Sequence, residues 1–265
     1  MLQVYDWATN ILNKSIHYLK SKPAWHTTIG QDMDFCPFIH PIISTLAQKV
    51  IGAEVLLRFL DDEGRYHSPE RFIKEFKSTE YINDITIRLM DNIRTHFQCI
   101  IGRLPKNFFF SFNICASQLD DPALVAAAYR FNNTFNMVFE IVEHSVQPFS
   151  DQALKTTIEM VNEGILFAID DFGAGHSSLT HLENMGVIFL KLDRHLTSMH
   201  EGELVYRKTI SALVDLSHSL NITIIAKGVE NRRQEELLTQ QGVELMQGYH
   251  YCQPLMVSDF IKNYL

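Results

Sequence analysis

Pro37-Phe38-Ile39-His40-Pro41-Ile42-Ile43-Ser44 and Gly52-Ala53-Glu54-Val55-Leu56-Leu57-Arg58-Phe59 are two apolar, strand-like runs separated only by residues 45–51. A parallel pair needs a crossover of a dozen or more residues, so a link this short predicts an antiparallel hairpin. Further β-branched and aromatic runs recur at 108–114, 137–143, 165–171, 187–193, 222–228 and 242–250. Stretches of helical periodicity separate most of them. Pro69 opens one such stretch at its first turn, and Leu89, Met90, Ile93 and Phe97 give the next an apolar stripe. Others span about 118–131, 150–162, 204–220 and 234–241. Strand and helix alternating up to eight strands is the pattern of an α/β chain closed into a (β/α)8 barrel. The hairpin makes the first strand the reversed one.

Residues 1–33 stand outside this alternation and are read as an N-terminal amphipathic helix and linker, with 34–265 as the barrel domain. Val4, Trp7, Ala8, Ile11, Tyr18 and Leu19 share one helical face, and Pro23 helps to end the helix. Such a stripe docks on the barrel or on a second copy, or tethers a partner domain. The 265 residues suit one large barrel, and 46% hydrophobic with 20% charged residues is ordinary for a globular core. A formal charge of −8 argues against a general DNA binder but leaves room for a small anionic ligand. Cys36, Cys99, Cys115 and Cys252 show neither CxxC pairing nor zinc spacing, which suggests reduced thiols and a cytoplasmic setting. No membrane span is expected, because no run approaches the roughly 18 apolar residues needed. Asn10, Asn13 and Lys14 interrupt any signal-peptide core.

Barrel enzymes carry their chemistry on strand ends at the C-terminal mouth. Asn113, Asp170, Asp171, Lys191 and Lys227 fall at or near the ends of their runs. Period-two alternation puts Glu54, Leu56 and Arg58 on one face, and Lys191 with Asp193 on another. Together with Glu140, these carboxylates and one amide form a hard-oxygen set suited to Mg2+ or Mn2+; no His/Cys cluster points to zinc. A single such Asp is ordinarily a cap or turn residue. Several converging on one mouth repel one another unless a cation is present. Asp171-Phe172-Gly173 matches the kinase triplet, but no HRD-type or Gly-rich loop accompanies it, so a kinase is set aside.

The same residues carry a family resemblance. In order come Glu54-Val55-Leu56-Leu57-Arg58, Phe112-Asn113-Ile114, Glu140-Ile141-Val142-Glu143 and Asp170-Asp171-Phe172-Gly173-Ala174-Gly175-His176-Ser177-Ser178-Leu179. Then follow Leu190-Lys191-Leu192-Asp193-Arg194, Lys227-Gly228-Val229-Glu230, and Gln247-Gly248-Tyr249 with Pro254. Over roughly 35–265 the chain resembles the EAL domain family of bacterial cyclic di-GMP phosphodiesterases. That family's modified TIM barrel, with its first strand antiparallel, agrees with the pattern read above.

The resemblance implies that Glu54, Asn113, Glu140 and Asp170 surround one Mg2+ or Mn2+. Asp170 would bridge to a second ion shared with Asp171 and with an acid expected at position 227. It implies catalytic roles for Lys191, which would orient the attacking water, for Gln247 in the water shell, and for Glu230, which would anchor the 173–178 loop. Cyclic di-GMP would meet Arg58 at a phosphate, with Leu57, His40, Asp193, Gln247 and Pro254 as further contacts. The 173–178 loop links the metal site to dimerisation in this family, which implies a homodimer.

Several positions depart from the family pattern. Val55 for Ala is mild; Ala174 and His176 stand where Thr and Tyr are usual and would weaken loop ordering. His40 replaces a Gln that reads a guanine, while keeping a donor or acceptor. Lys227 matters most, because an anionic ligand becomes a cation. Unit charges about 4 Å apart interact by about 4 kcal/mol at an effective dielectric near 20, and a 2+ ion doubles that repulsion. The ammonium either fills the vacated metal position or swings out to solvent, as long lysines can. Either way a ligand is missing.

Three functions are therefore open. The first is a cyclic di-GMP receptor with weak or lost hydrolysis that passes its state to a regulatory protein partner. The second is a working metal-dependent phosphodiesterase producing linear pGpG. The third is a nucleotide-independent interaction module, against which the retained Arg58, Asp193 and Gln247 speak.

Overall fold

A computed structural model describes residues 27–29, 33–61, 63–69, 79–142, 149–174 and 186–265. The expected N-terminal helix, the helix beyond Pro69, Glu143 and residues 175–179 of the loop after the paired aspartates lie outside these. Eight strands close the barrel: β1 Met33–Ser44, β2 Lys49–Leu60, β3 Phe109–Ile114, β4 Asn136–Val142, β5 Leu166–Phe172, β6 Val187–Leu192, β7 Thr223–Ala226 and β8 Leu245–Met246. From β2 through β8 every neighbour is parallel, whereas β1 runs antiparallel both to β2 and to β8. Ser44 faces Lys49 in the hairpin, and Met246 faces Ile43 across the closing seam. The short first link therefore does reverse one strand.

Helices α1 Thr79–Phe97, α2 Pro122–Asn132, α3 Asp151–Asn162, α4 Arg207–Leu220, α5 Arg232–Gln240 and α6 Val257–Tyr264 follow in chain order. Each of three has a side-chain cap that satisfies an orphan amide of its first turn. Asp121 accepts from Ala123 N at 2.8 Å, Ser150 from Ala153 N at 2.9 Å, and Asn231 from Gln234 N at 2.9 Å. Two expected helices start later than their periodicity suggests. Residues 116–120 form a separate 3-10 turn before Pro122, and Glu203–Leu204 pairs with Met199–His200 in a small hairpin before α4. The last run, expected over 242–250, is a strand only at Leu245–Met246, because Gly242 turns at φ +90° and the chain turns again beyond Gln247.

Two packed layers result. Outward-facing strand residues and the helices form the main core, from Phe110 and Phe139 to Leu190 and Phe260. Inside the barrel lies a smaller apolar floor of Ile42, Phe109, Val138, Ala168, Ile225 and Leu245, with Ile51, Leu166 and Phe189 packed against it. Phe109 and Phe189 stack across this floor at 4.9 Å. Gly52 is required there, since a Cβ on it would stand 2.5 Å from the Phe109 ring.

Candidate active site

Because side chains alternate along a strand, the residue two positions above each floor residue also points inward. Above Gly52, Val138, Ala168, Phe189, Ile225 and Leu245 stand Glu54, Glu140, Asp170, Lys191, Lys227 and Gln247. On β3 the step above Phe109 holds Ser111, and Asn113 stands one inward step higher, level with Glu140; on the reversed β1 the step runs backwards, from Ile42 to His40. The fold thus gathers residues from every barrel strand into one polar region on an apolar floor.

The contacts inside that layer are dense. Lys191, fully buried, donates to Glu54 Oε2 at 2.8 Å and Glu140 Oε2 at 2.6 Å, and stands 4.0 Å from Asp170 Oδ1. Asn113 Nδ2 donates to Glu54 Oε1 at 2.9 Å, and Gln247 Nε2 donates to Glu54 Oε2 at 3.0 Å. Burial alone would raise Glu54, but Lys191 and Lys227 outweigh it and hold the carboxyl well below its usual range. Burial, reinforced by Glu54, pushes Glu140 up to about 7. Two carboxylates around one ammonium cannot both be fully compensated, and the pair splits accordingly.

Asp170 and Asp171 are adjacent, so a regular strand would aim them at opposite faces. The pairing of β5 with β6 shifts register between Ile169 and Phe172, and Asp171 takes a left-handed φ of +55°. This irregularity brings both carboxylates to one cation, a use of local strain typical of functional sites. That cation is Lys227: its Nζ donates to Asp170 Oδ1 at 2.8 Å, Asp170 Oδ2 at 2.9 Å and Asp171 Oδ1 at 2.6 Å. These partners raise its pKa even though burial and Lys191 oppose the charge.

Two residues missed by sequence reasoning hold Lys227 in place. Thr197 Oγ1 donates to the Lys227 carbonyl at 2.7 Å. Gln234, buried at the start of α5, donates to the carbonyls of Thr197 at 2.8 Å and Gly228 at 3.1 Å and accepts from Glu230 N at 2.8 Å. A polar residue in an amphipathic helix carries no sequence signal for this job, which depends on two distant loops meeting it. Gly248 is part of the same crossing: a Cβ there would stand 2.2 Å from the Val229 carbonyl oxygen.

The remaining expected residues ring the mouth. Arg58 lies 5.6 Å above the Phe38 ring, and its Nη1 donates to the Leu57 carbonyl at 2.8 Å. Pro254 immediately precedes the short strand Leu255–Met256, which pairs with Ile39 and Phe38 next to His40. Asp193 Oδ1 accepts from His195 N at 2.8 Å, capping its own turn. The Glu230 side chain is exposed, and most of the loop it was expected to anchor lies outside the described residues.

His40 faces Glu54 across the hairpin, and its buried Nε2 has no hydrogen-bond partner among the described residues. Burial lowers its pKa to about 4, so the folded chain holds a neutral imidazole. The unfolded chain then binds the extra proton between pH 6.5 and about 4, and stability falls with acidification across that window. The expected loss is about 3 kcal/mol at 1.36 kcal/mol per unit. Denaturant unfolding at pH 7 and pH 4.5 should show His40→Gln losing measurably less than the wild type. Equal losses would assign the acid sensitivity to other groups.

Glu54, Asn113, Glu140 and Asp170 carry the oxygen donors that a hard divalent cation takes, with the Lys191 ammonium bonded to Glu54 and Glu140 among them. The side of the mouth bounded by Asp170 and Asp171 does not fit a second, because an ammonium is bonded to both. Among the described residues no group of three or more His, Cys, Asp or Glu is arranged as a ready metal cage. A polar groove of about 610 Å3 along α5, lined by Thr45, Gln48, Arg232 and Glu235 among others, shares no residue with this mouth. Its Arg232–Glu236 and His250–Glu235 pairs, at 3.1 and 3.0 Å, already satisfy one another.

Comparison with known proteins agrees with the geometry. The EAL domain family profile matches residues 24–254. The probable cyclic di-GMP phosphodiesterase PdeG of Escherichia coli K12 is 28% identical over 236 residues, which cover 86% of this chain and 46% of that protein. The probable cyclic di-GMP phosphodiesterase PdeN of the same strain is 30% identical over 227 residues, 84% of this chain and 44% of its own length. The chain thus spans under half the length of these two curated relatives. A solved cyclic di-GMP complex of the PaMucR phosphodiesterase superposes with a TM-score of 0.76 at 24% identity, covering 85% of this chain and 94% of that one. The YkuI protein of Bacillus subtilis, solved with cyclic di-GMP and calcium, gives 0.72 at 21% identity, covering 84% and 56%. Among the described residues no helix is long and apolar enough to cross a membrane. With its reversed first strand, its layer of inward acids and a profile match across nearly the whole barrel, the chain belongs to the EAL domain family.

Proposed function

We propose that this chain is a cyclic di-GMP receptor module of bacterial second-messenger signalling whose phosphodiesterase activity is weak or lost. One observation carries the second half of that reading: Lys227 Nζ is bonded to both Asp170 and Asp171, where the family pattern wants another acid. Family membership and the names of the relatives support the first half. When bound, Mg2+ or Mn2+ on the Glu54, Asn113, Glu140 and Asp170 side would polarise a phosphodiester. Lys191 would hold Glu54 and Glu140 in place and orient water, and Gln247 would fix Glu54 from the opposite wall. Arg58 would meet a phosphate, and His40 would offer its unpaired Nε2 to a base, with Leu57, Asp193 and Pro254 completing the rim.

Calorimetric titration with cyclic di-GMP in Mg2+ and in EDTA, with products followed by chromatography, tests the reading. Arg58→Ala should weaken binding by about 1.5–3 kcal/mol, the usual worth of a charged hydrogen bond. Silence from the wild type at high micromolar ligand would leave the nucleotide-independent interaction module. Rapid production of linear pGpG would make the chain a plain phosphodiesterase. We also propose a homodimer across the loop that follows β5, as closed two-fold symmetry favours. A strictly monomeric mass with and without ligand refutes that assembly.

A further inference from the structure

We propose that Lys227 is a resident cation that takes the place of a second metal ion, so that the mouth accepts one divalent ion and not two. This deepens the reading of the mouth as a metal-assisted cyclic di-GMP site and rests on it. An ammonium has three N–H donors. Here Asp170 Oδ1, Asp170 Oδ2 and Asp171 Oδ1 account for three, at 2.8, 2.9 and 2.6 Å. Lys227 is thereby saturated, and it keeps both carboxylates from closing around an ion on their side.

The side chain is not poised to leave. It is only 22% exposed, and its own backbone is pinned by Thr197 at the carbonyl and by the Leu192 carbonyl at the amide. Moving it to solvent would strand Asp170, 5% exposed, beside Asp171 with no countercharge from that direction. Charge leads to the same stoichiometry. Glu54, Glu140, Asp170 and Asp171 with Lys191 and Lys227 carry two net negative charges when all are ionised, which one divalent ion neutralises. A second ion would leave the apolar floor beneath two unbalanced positive charges.

The test is a Mn2+ titration of the full chain read by electron paramagnetic resonance, without nucleotide and without turnover. The wild type should bind one equivalent and show no spin-coupled Mn–Mn signal. Lys227→Glu should bind two and show the coupled signal. Lys227→Gln, which removes the ammonium but keeps an oxygen donor, should gain a weaker second equivalent and serves if the Glu variant folds poorly. Two equivalents in the wild type, none at all, or a second equivalent missing from both variants each overturn the proposal. A parallel cyclic di-GMP titration keeps the two ideas separate: one Mn2+ bound with no nucleotide binding sinks the receptor reading and leaves the ion count standing.

Discussion

Lys227→Glu should raise Mg2+- or Mn2+-dependent hydrolysis of cyclic di-GMP by roughly 100-fold or more. The substitution frees Asp170 and Asp171 from the ammonium that now donates three hydrogen bonds to them. It also supplies the acid that the family pattern wants on that wall. Two ions clamp the attacking and leaving oxygens of an in-line displacement together, and one ion alone cannot. A hundredfold gain asks for roughly 3 kcal/mol of barrier at 1.36 kcal/mol per tenfold. That is modest beside the repulsion of about 8 kcal/mol that an ammonium about 4 Å from a dication imposes at an effective dielectric near 20. Nucleotide affinity should stay within about tenfold, since a charged hydrogen bond at Arg58 is worth about 1.5–3 kcal/mol and is untouched. If the wild type already turns over as fast as the variant, Lys227 is tolerated and the receptor reading is wrong. If the variant takes up the second ion yet stays inactive, the defect moves to the loop carrying Ala174 and His176.

The fold was legible because its decisive signals are local. A link over 45–51 is too short for a parallel crossover whatever the rest of the chain does, and β1 is antiparallel to both neighbours. The inward step of two residues that lifts Glu54, Glu140, Asp170, Lys191 and Gln247 above the apolar floor is strand periodicity, which sequence displays. What stayed hidden depends on departures from regularity or on long-range meeting. Asp171 joins its neighbour at one cation only through a register shift and a left-handed backbone, and neither leaves a mark in residue type. Gln234 and Thr197 lie far apart in sequence, and their grip on the Lys227 loop exists only once α5 and the β6–α4 connection meet over it. Sequence left Lys227 two options, to fill the metal position or to swing into solvent. The folded chain keeps it inside, bonded to Asp170 and Asp171.

Lys191→Met should destabilise the fold by about 3–5 kcal/mol near pH 7 in EDTA, the usual cost of removing one partner from a buried ion pair. Lys191 has no solvent exposure and is bonded to Glu54 and Glu140 at 2.8 and 2.6 Å, with Asp170 at 4.0 Å. Methionine fills a similar volume, so the loss is chiefly electrostatic: two buried carboxylates are left side by side above an apolar floor. Burial would lower the lysine, but Glu140, Glu54 and Asp170 raise its pKa in the folded chain. A raised folded value contributes stability in full below the unfolded pKa, so the wild type keeps this contribution at neutral pH and loses it only in strong alkali. In the variant the carboxylates themselves carry raised folded values. Stability then falls as pH rises above their unfolded range, and the gap to the wild type should narrow as the medium is taken from pH 7 toward pH 5. Glu140 is the carboxyl already pushed up to about 7, so the double variant Lys191→Met/Glu140→Gln should recover much of the single variant's loss. Denaturant unfolding of the three proteins at pH 7 and pH 5 measures this directly. A single variant as stable as the wild type at pH 7 would show that Glu140 simply takes up a proton at little cost, and that Lys191 is held in the barrel for ligand chemistry and not for folding.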